Sequence, residues 1–417
     1  MAAPRIQAPR GTLDVLPVDG RRRRALFRIA EEIFTRAGYG YAETPVFEST
    51  ELFARGVGET TDIVEKEMFS FEDQGGRSLT LRPEGTAGIC RAYVEHGMHK
   101  QPQPVRVWYL GPFFRHEAPQ AGRYRQFAQI GAEALGSDDP SLDAELILLL
   151  ADLLERAGAH GVRVRVGSLG TPETRRAYSA ELRDHLLERV DQLSDDVRAR
   201  LGRNPLRAFD SDHAGTRAAV AGAPRLLERL TPDDAEHFAE VRALLDGAGL
   251  GYELDGTLVR GLDYYTRTVF EFTSDALGAQ SGVGGGGRYD RLVERLGGPP
   301  TPGVGWAAGV ERILLASKDT APAEGPDVFV VVAAGAEHRR AGFRLVRDLR
   351  ANGVAAQMEQ AGRSLKGQLK HAGRLGAARV VVVGDGELRV RDSRTREERP
   401  AADTDEALAI LLEDDAE

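Results

Sequence analysis

The chain has 417 residues, of which 41% are hydrophobic and 29% charged, and its formal net charge is −9. This length predicts two or three domains, and the acidic balance means that any nucleic acid must be held by local basic patches. Cys90 is the single cysteine, the nine histidines are scattered, and no apolar stretch approaches 18 residues. We therefore expect no intrachain disulfide, no zinc cluster, no signal peptide and no membrane span, and a reducing cytoplasm fits this composition.

The first predicted element is an amphipathic helix over residues 21–37. Apolar residues recur there at three- and four-residue spacing, and Gly38 ends the pattern. These apolar residues are Leu26, Ile29, Ile33, Phe34 and Ala37. The basic run at 21–24 is interpreted as the solvated face of the helix, with an RNA contact as the alternative.

A strand over residues 78–82 leads into the segment Pro83-Glu84-Gly85-Thr86, and a helix is expected beyond it. Glu84 and Thr86 at such a strand–helix junction are typical of a helix cap. They could equally contact a ligand. Taken alone, the segment favours the cap.

An arginine-rich hairpin is the most informative stretch of the chain. A strand over 105–110, a loop with proline and glycine, and a second strand over 124–135 predict an antiparallel pair. Because side chains alternate along a strand, Arg123, Phe127, Gln129 and Glu133 share one face if the strand is unbroken. Phe127 and Glu133 are then about 20 Å apart, the scale of a nucleotide joined to a small molecule. The alternative is a surface hairpin with solvated charges.

The next segments are an amphipathic helix over 143–157 and an alternating strand over 162–167. Residues 171–250 are then rich in Arg, Asp, Glu and Leu with helical periodicity, which predicts a separate helical insertion. A strand pattern follows over 258–271, and it would place Arg260, Leu262 and Tyr264 on one face. Arg260 and Tyr264 could bind a phosphate and a polar substrate edge, or be ordinary residues of a sheet surface.

The sequence GVGGGG at 282–287 matches the glycine pattern of dinucleotide-binding folds. The βαβ continuation that such a fold requires does not follow, so we reject that interpretation. The glycines instead predict a close approach of backbone and ligand, or a tight turn. GVGWAAGVERILL at 303–315 is a strand that runs into a helix, with Arg312 in the first turns of that helix.

A short linker at 321–326 precedes alternating strands and helices, which predict an α/β domain with a largely parallel sheet. Its predicted helices carry basic residues that could form an RNA-binding face or a solvated surface. They are Arg340, Arg344, Arg347, Arg363, Lys366 and Lys370.

These segments together resemble the histidyl-tRNA synthetases, a family of class II aminoacyl-tRNA synthetases, over the whole chain. The hairpin is similar to class II motif 2, residues 303–315 to motif 3, and the region around Pro45 to motif 1, the dimer interface. LVRGLDYYTRTVFE and GGGGRYD are similar to the two histidine signatures. The resemblance implies an α+β catalytic domain at 1–322, built on an antiparallel sheet with flanking helices and a helical insertion at about 171–250. It also implies an α/β anticodon-binding domain at 326–417.

The resemblance also implies roles for particular residues. Arg260, Arg115 and Arg312 would be catalytic, and Gln120 would lie near the tRNA acceptor end. The residues implied to bind ATP are Arg115, Glu117, Arg123, Phe127 and Arg312. Those implied to bind histidine are Glu84, Gly85, Thr86, Arg115, Gln129, Glu133, Arg260, Tyr264 and Tyr265, with the segment 284–289 lining the pocket.

The implied activity is formation of histidyl-adenylate from L-histidine and ATP, followed by transfer of histidine to tRNA(His). Mg²⁺ would accompany ATP without a dedicated protein cage, and the protein would be a cytoplasmic homodimer. Ala118, Ala121, Ala128 and Arg291 depart from the family pattern, and Ala118 and Ala121 lie in the motif 2 loop implied to contact tRNA. The alternative is the non-catalytic regulatory subunit of ATP phosphoribosyltransferase, which predicts eroded signatures and no anticodon-binding domain.

Overall fold

A computed structural model describes residues 5–58, 61–118, 122–259, 261–278, 281–318, 325–386 and 388–413. The chain divides into two compact units, Met1–Thr320 and Ala321–Glu417. Most of the predicted linker lies outside the described residues. Among the helices that the structure describes, none is long and apolar enough to cross a membrane.

The first unit contains a large sheet and a small one. The large sheet consists of β1 (Gly40–Tyr41), β5 (Val105–Phe114), β6 (Gln126–Leu135), β7 (Val162–Ser168), β8 (Glu253–Leu254), β9 (Thr266–Ser274), β10 (Gly282–Arg288) and β11 (Gly303–Gly309). Its order is β1-β5-β6-β11-β10-β9-β7-β8, antiparallel in the centre and parallel at the two edge pairs. The small sheet has the order β2-β4-β3, from β2 (Phe47–Ser49), β3 (Phe69–Glu72) and β4 (Ser78–Leu81).

The α-helices of this unit lie before, between and after these strands in the chain. They are α1 (Pro17–Arg36), α2 (Thr50–Val57), α3 (Thr86–Glu95), α4 (Pro140–Arg156), α5 (Pro172–Leu187), α6 (Asp195–Arg200), α7 (Ala214–Ala221), α8 (Pro232–Gly247), α9 (Leu292–Arg295) and α10 (Val310–Ala316). Capping side chains explain where several of these helices begin. Helix α4, for example, begins with a proline after Asp139, whose carboxylate accepts a hydrogen bond from the Ser141 N–H.

One buried cluster joins the sheet to helices on its face. Phe34 of α1, Leu150 of α4, Phe238 of α8, and Ile130 and Trp306 of the sheet all belong to this cluster. Helix α8, from the segment predicted as an insertion, therefore packs into the same core as the sheet. Burial of these apolar side chains removes them from water and fixes the sheet that carries the site.

The basic run of α1 is not simply a solvated face. The Arg22 guanidinium donates a hydrogen bond of 2.8 Å to the Leu314 carbonyl, and Arg23 forms an ion pair with Glu311. The prediction of a solvated face was therefore wrong for Arg22 and Arg23. Both side chains contact α10, almost 300 positions away in sequence, so no local pattern could indicate these contacts.

The predicted strand at 258–271 is shorter than expected, since β9 begins at Thr266. The residues before it form bends, and the Asp263 N–H donates to the Val57 carbonyl of α2 rather than to a neighbouring strand. Leu262 and Tyr264 therefore do not share a strand face, and that prediction was wrong. Arg260 lies outside the described residues.

The second unit is an α/β sheet with the order β13-β12-β14-β15-β16. Its elements are β12 (Val328–Val332), α11 (Ala336–Ala351), β13 (Ala356–Met358), α12 (Leu365–Leu375), β14 (Arg379–Val383), β15 (Leu388–Asp392), β16 (Glu398–Ala401) and α13 (Thr404–Glu413). Strands β13, β12 and β14 are parallel, as the sequence predicts. The antiparallel pair β15–β16 and helix α13 were not predicted.

Candidate active site

A cavity of about 250 Å³ lies between the β5–β6 hairpin, strands β10 and β11, and the starts of α3 and α10. Most of the site residues implied by the resemblance line it. They are Glu84, Gly85, Thr86, Arg115, Glu117, Arg123, Phe127, Gln129, Tyr264, Tyr265 and Arg312. Glu133 lies buried beside them, and Arg260 and Gln120 lie outside the described residues.

The hairpin has the predicted antiparallel register, with Phe127 opposite Phe113 and Glu133 opposite Val107. Strand β6 is unbroken from 126 to 135, so Phe127, Gln129 and Glu133 share a face. Arg123 was predicted on the same face, but it lies before the strand begins, so the prediction was wrong for this residue. Phe127 is thus placed at one end of the strand and Glu133 toward the other. Strand β6 thus carries an aromatic side chain toward one end of the cavity and a carboxyl group toward the other.

The cationic end of the cavity is organised around Glu117. Arg123 donates a hydrogen bond of 3.0 Å to Glu117, and the Arg115 guanidinium lies 3.8 Å from the same carboxylate. Arg115 also donates to the Pro83 carbonyl at 2.9 Å, and its guanidinium carbon lies 5.5 Å from the Phe127 ring centroid. Such an arrangement holds two guanidinium groups next to an aromatic face that can stack on a base.

Arg312 adds a further positive charge to this end. Its Nε–H donates to the Gly282 carbonyl, which joins α10 to β10. Burial and the nearby charge of Arg123 lower the pKa of Arg312 below its usual range. Two guanidinium groups that repel each other in a partly buried site favour a bound polyanion, because it neutralises both.

Glu84 serves as a cap as well as a wall of the cavity. Its carboxylate accepts hydrogen bonds from the Thr86 N–H at 2.8 Å and the Ala87 N–H at 2.9 Å. The side chain therefore satisfies two free donors in the first turn of α3. The cap and the ligand contact, which the sequence left as alternatives, are compatible in the structure.

Glu133 is fully buried and accepts hydrogen bonds from three hydroxyls. Thr86 donates at 2.7 Å and Tyr109 at 3.2 Å to one oxygen, while Tyr289 donates to the other. Burial, together with the neighbouring carboxylate of Glu84, raises the pKa of Glu133 to about 8, although the hydroxyl donors lower it. The group is therefore poised to hold or release a proton near neutral pH.

Gln129 contributes an unsatisfied acceptor. Its side chain lines the cavity and is only 9% exposed, yet its Oε1 atom has no hydrogen-bond partner among the described residues. Buried polar atoms in folded proteins are almost always paired. The atom thus marks a place where a ligand donor would bind.

The sequence did not identify Tyr109 or Glu311, which shape this site, and it included Tyr289 only within the segment 284–289 expected to line the pocket. Tyr109 and Tyr289 surround Glu133, and Glu311 accepts the Ala128 N–H at 3.1 Å while pairing with Arg23. A signal existed for Tyr109 alone. A side chain at Gly131, its partner in the β5–β6 register, would overlap the tyrosine ring.

The glycine run 282–287 forms strand β10, whose neighbours β9 and β11 run antiparallel to it. This arrangement is incompatible with a parallel dinucleotide-binding sheet, and it also excludes the tight turn. Gly282, Gly284 and Gly285 line the cavity, where the backbone can approach a ligand closely. No group of three or more His, Cys, Asp or Glu residues that could hold a metal occurs in the described part of the chain.

Comparison with known proteins gives the family. A model of the family described as histidyl-tRNA synthetase matches residues 11–313, and one of the anticodon binding domain matches residues 327–414. The chain belongs to the histidyl-tRNA synthetase family.

Within the histidyl-tRNA synthetase family, curated relatives match along most of their length. The histidine–tRNA ligase of Rubrobacter xylanophilus is 49% identical over 94% of this chain and 95% of its own. That of Desulforamulus reducens is 47% identical over 91% of both chains. The crystal structure of apo S. aureus histidyl-tRNA synthetase, 35% identical, superimposes with a TM-score of 0.81 over 98% of this chain and 100% of that one.

Proposed function

We propose that the protein is a histidine–tRNA ligase. It activates L-histidine with ATP to form histidyl-adenylate and pyrophosphate, and it then transfers histidine to the 3′ end of tRNA(His). One observation carries this proposal: a single cavity has arginines and an aromatic ring at one end and buried carboxyl and amide groups at the other. That polarity matches a nucleotide triphosphate placed next to an amino acid.

ATP binds at the cationic end. Phe127 stacks on adenine, and Arg115 and Arg312 contact the phosphates. Arg123 and Glu117 help to place the rest of the nucleotide, and Glu117 also keeps Arg115 and Arg123 in place. The guanidinium groups are already oriented by protein acceptors, so little reorganisation is needed when charge develops on the phosphates.

Histidine binds at the other end. Its α-ammonium group donates to the free Oε1 of Gln129 and lies near Glu84, which supplies negative charge. Its imidazole reaches Glu133 by displacing the Thr86 hydroxyl, which exchanges one hydrogen bond for another at little cost. Tyr264 and Tyr265 close this end of the cavity.

The chemistry follows from this placement. A carboxylate oxygen of histidine attacks the α-phosphorus of ATP, and pyrophosphate leaves with the electron pair of the broken P–O bond. The reaction needs no protein nucleophile, so positioning and charge stabilisation by Arg115 and Arg312 supply the catalysis. The implied roles of Arg260 and Gln120 stay predictions, because both residues lie outside the described part of the chain.

Mg²⁺ neutralises phosphate charge when it is bound with ATP. Glu117 and Glu271 line the cavity and would be the carboxylate ligands of the ion, in exchange for their present pairing with Arg115 and Arg123 and with Arg165. Glu311 is engaged by Arg23 and the Ala128 N–H. Carboxylate oxygens suit this ion, and the phosphates would provide its other ligands.

We also propose that the protein is a cytoplasmic homodimer, since tRNA charging supplies cytoplasmic translation. Phe47 and Phe71 of the small sheet are 52% and 45% exposed, and their rings are 6.5 Å apart. Paired exposed aromatic side chains support a protein–protein interface there.

The regulatory-subunit alternative is disfavoured, because the second unit matches the anticodon binding domain and the phosphate-binding arginines line the cavity.

Histidine-dependent exchange between ATP and labelled pyrophosphate tests the proposal, run against a panel of the other amino acids. We expect exchange with histidine alone. A protein that binds histidine and yet catalyses no exchange would indicate the regulatory paralogue instead.

A further inference from the structure

The loop that carries Tyr264 and Tyr265 into the cavity is not part of the sheet, so other contacts must fix it. The Arg175 guanidinium, on α5, supplies two of them. One of its terminal nitrogens donates to the Tyr265 carbonyl at 2.9 Å, and the other donates to the Asp263 carbonyl at 3.3 Å. The two acceptors thus flank Tyr264 in sequence.

We propose that Arg175 is a positioning residue for the histidine end of the active site. It acts through the main chain of residues 263–265 and touches no substrate. This inference rests on the proposed ligase function and deepens it, because it assigns one side chain of the helical insertion to amino-acid recognition.

The chemistry of arginine suits this task. A planar guanidinium presents parallel donors in a fixed fork, so one side chain can hold two carbonyls at a set distance. Arg175 is half-buried, and burial lowers its pKa below the usual range while nearby Asp263 opposes that effect. A lysine would offer a single flexible ammonium and could not grip both carbonyls in the same way.

The contacts of Tyr264 show how a shift of this loop would be felt. Its ring centroid lies 4.7 Å from that of Tyr265 and 5.6 Å from that of Tyr289, and its hydroxyl is 3.5 Å from Glu84. All these neighbours belong to the histidine end. Phe127 and Arg312 of the ATP end are carried by β6 and α10, so they do not depend on the loop.

Other contacts hold the loop on one side of the tyrosines. Arg207 donates to the Gly261 carbonyl at 3.2 Å, and the Asp263 N–H donates to Val57 at 3.2 Å. Both hold the loop upstream of Tyr264. Arg175 also contacts it downstream, at Tyr265, immediately before β9 begins.

The test compares Arg175→Ala, Arg175→Lys and the control Arg176→Ala in the full chain. Arg176 is exposed on the same helix and pairs with Glu173, so its loss removes a charge without touching the loop. The readouts are the KM values for histidine and for ATP in pyrophosphate exchange. We expect Arg175→Ala to raise the KM for histidine on the order of tenfold or more and the KM for ATP less than about twofold. Arg175→Lys should be intermediate, and Arg176→Ala should match the wild type.

An unchanged KM for histidine in Arg175→Ala would overturn the proposal, and so would equal increases for histidine and ATP. If the alanine variant does not fold, Arg175→Lys decides by the same criterion. Wild-type protein without histidine-dependent exchange would instead refute the ligase function itself, so the two failures are distinguishable.

Discussion

The Thr86 hydroxyl donates a 2.7 Å hydrogen bond to the buried carboxylate of Glu133. This bond joins the first turn of α3 to the C-terminal part of β6 in the motif 2 hairpin, 47 residues away in sequence. It also closes the carboxylate off from the cavity, together with the hydroxyls of Tyr109 and Tyr289. The carboxylate proposed to bind the imidazole of histidine therefore already accepts hydrogen bonds from three neutral hydroxyls.

The first prediction concerns Glu133→Gln and the pH dependence of stability. Between the ordinary pKa of 4.5 and the folded value of about 8, the native protein keeps a proton that the unfolded chain has lost. Stability of the wild type therefore falls as pH rises through this window. Gln resembles the protonated carboxyl and does not titrate, so the variant should gain stability relative to wild type from pH 5 to pH 8, by on the order of a few kcal/mol at most.

Thermal melting of both proteins without ligand, at several pH values between 5 and 8, gives this difference directly. If the difference in melting temperature between the two proteins is the same at every pH in this range, Glu133 does not have the raised pKa.

The second prediction concerns Gln129→Met. The substitution removes a buried acceptor that has no partner in the described structure while keeping a similar volume, so the ligand-free protein should become more stable by roughly 1 kcal/mol. The same change deletes the proposed acceptor for the α-ammonium group, and the KM for histidine should rise about tenfold or more. A variant with lower stability and normal histidine binding would mean that the amide is structural.

Local patterns in the sequence were enough to predict the elements that carry the site. The alternation of side chains predicted Phe127, Gln129 and Glu133 on one face of β6, and the register confirms this for these three residues. It failed for Arg123, because the strand begins only at Gln126. The helix after Gly85 and the strand–helix unit with Arg312 were predicted for the same reason. The periodicity and the turn residues that specify each of these elements lie within a few positions of one another in the sequence.

Contacts between distant segments could not be predicted in this way. Arg23 looked like a solvated residue because nothing near it in sequence indicates Glu311. The strand pattern before Thr266 failed because the Asp263 N–H finds its acceptor on α2 instead of a neighbouring strand. Tyr289 lay within a segment expected to line the pocket, but its actual contact with Glu133 depends on how β6 and β11 pair.

The third prediction concerns Phe127→Leu at the ATP end. Leucine retains apolar volume but loses the flat face, so the KM for ATP in the exchange reaction should rise roughly tenfold. The KM for histidine should change less than about twofold, because Gln129 and Glu133 lie further along the strand. Phe343→Leu is the matched control, since Phe343 is an exposed phenylalanine of α11 in the second unit. Equal effects of the two substitutions would contradict the stacking role.

The last prediction uses the glycine run. A Cβ at Gly286 would overlap the Gly305 carbonyl and the Cα and Cβ of Trp306, so β10 and β11 could not keep their present separation. Gly286→Ala should therefore destabilise the protein by about 1–3 kcal/mol or more. Gly247→Ala makes the same chemical change at the end of α8, where a Cβ meets nothing within 4 Å, and it should be neutral or slightly stabilising.

Chemical denaturation of the two variants beside wild type measures both effects, and Gly286→Ala should also lose exchange activity because its strand lines the cavity. If Gly286→Ala unfolds at the same denaturant concentration as Gly247→Ala, close strand packing is not the reason for the glycines, and their proximity to the ligand alone would have to explain them.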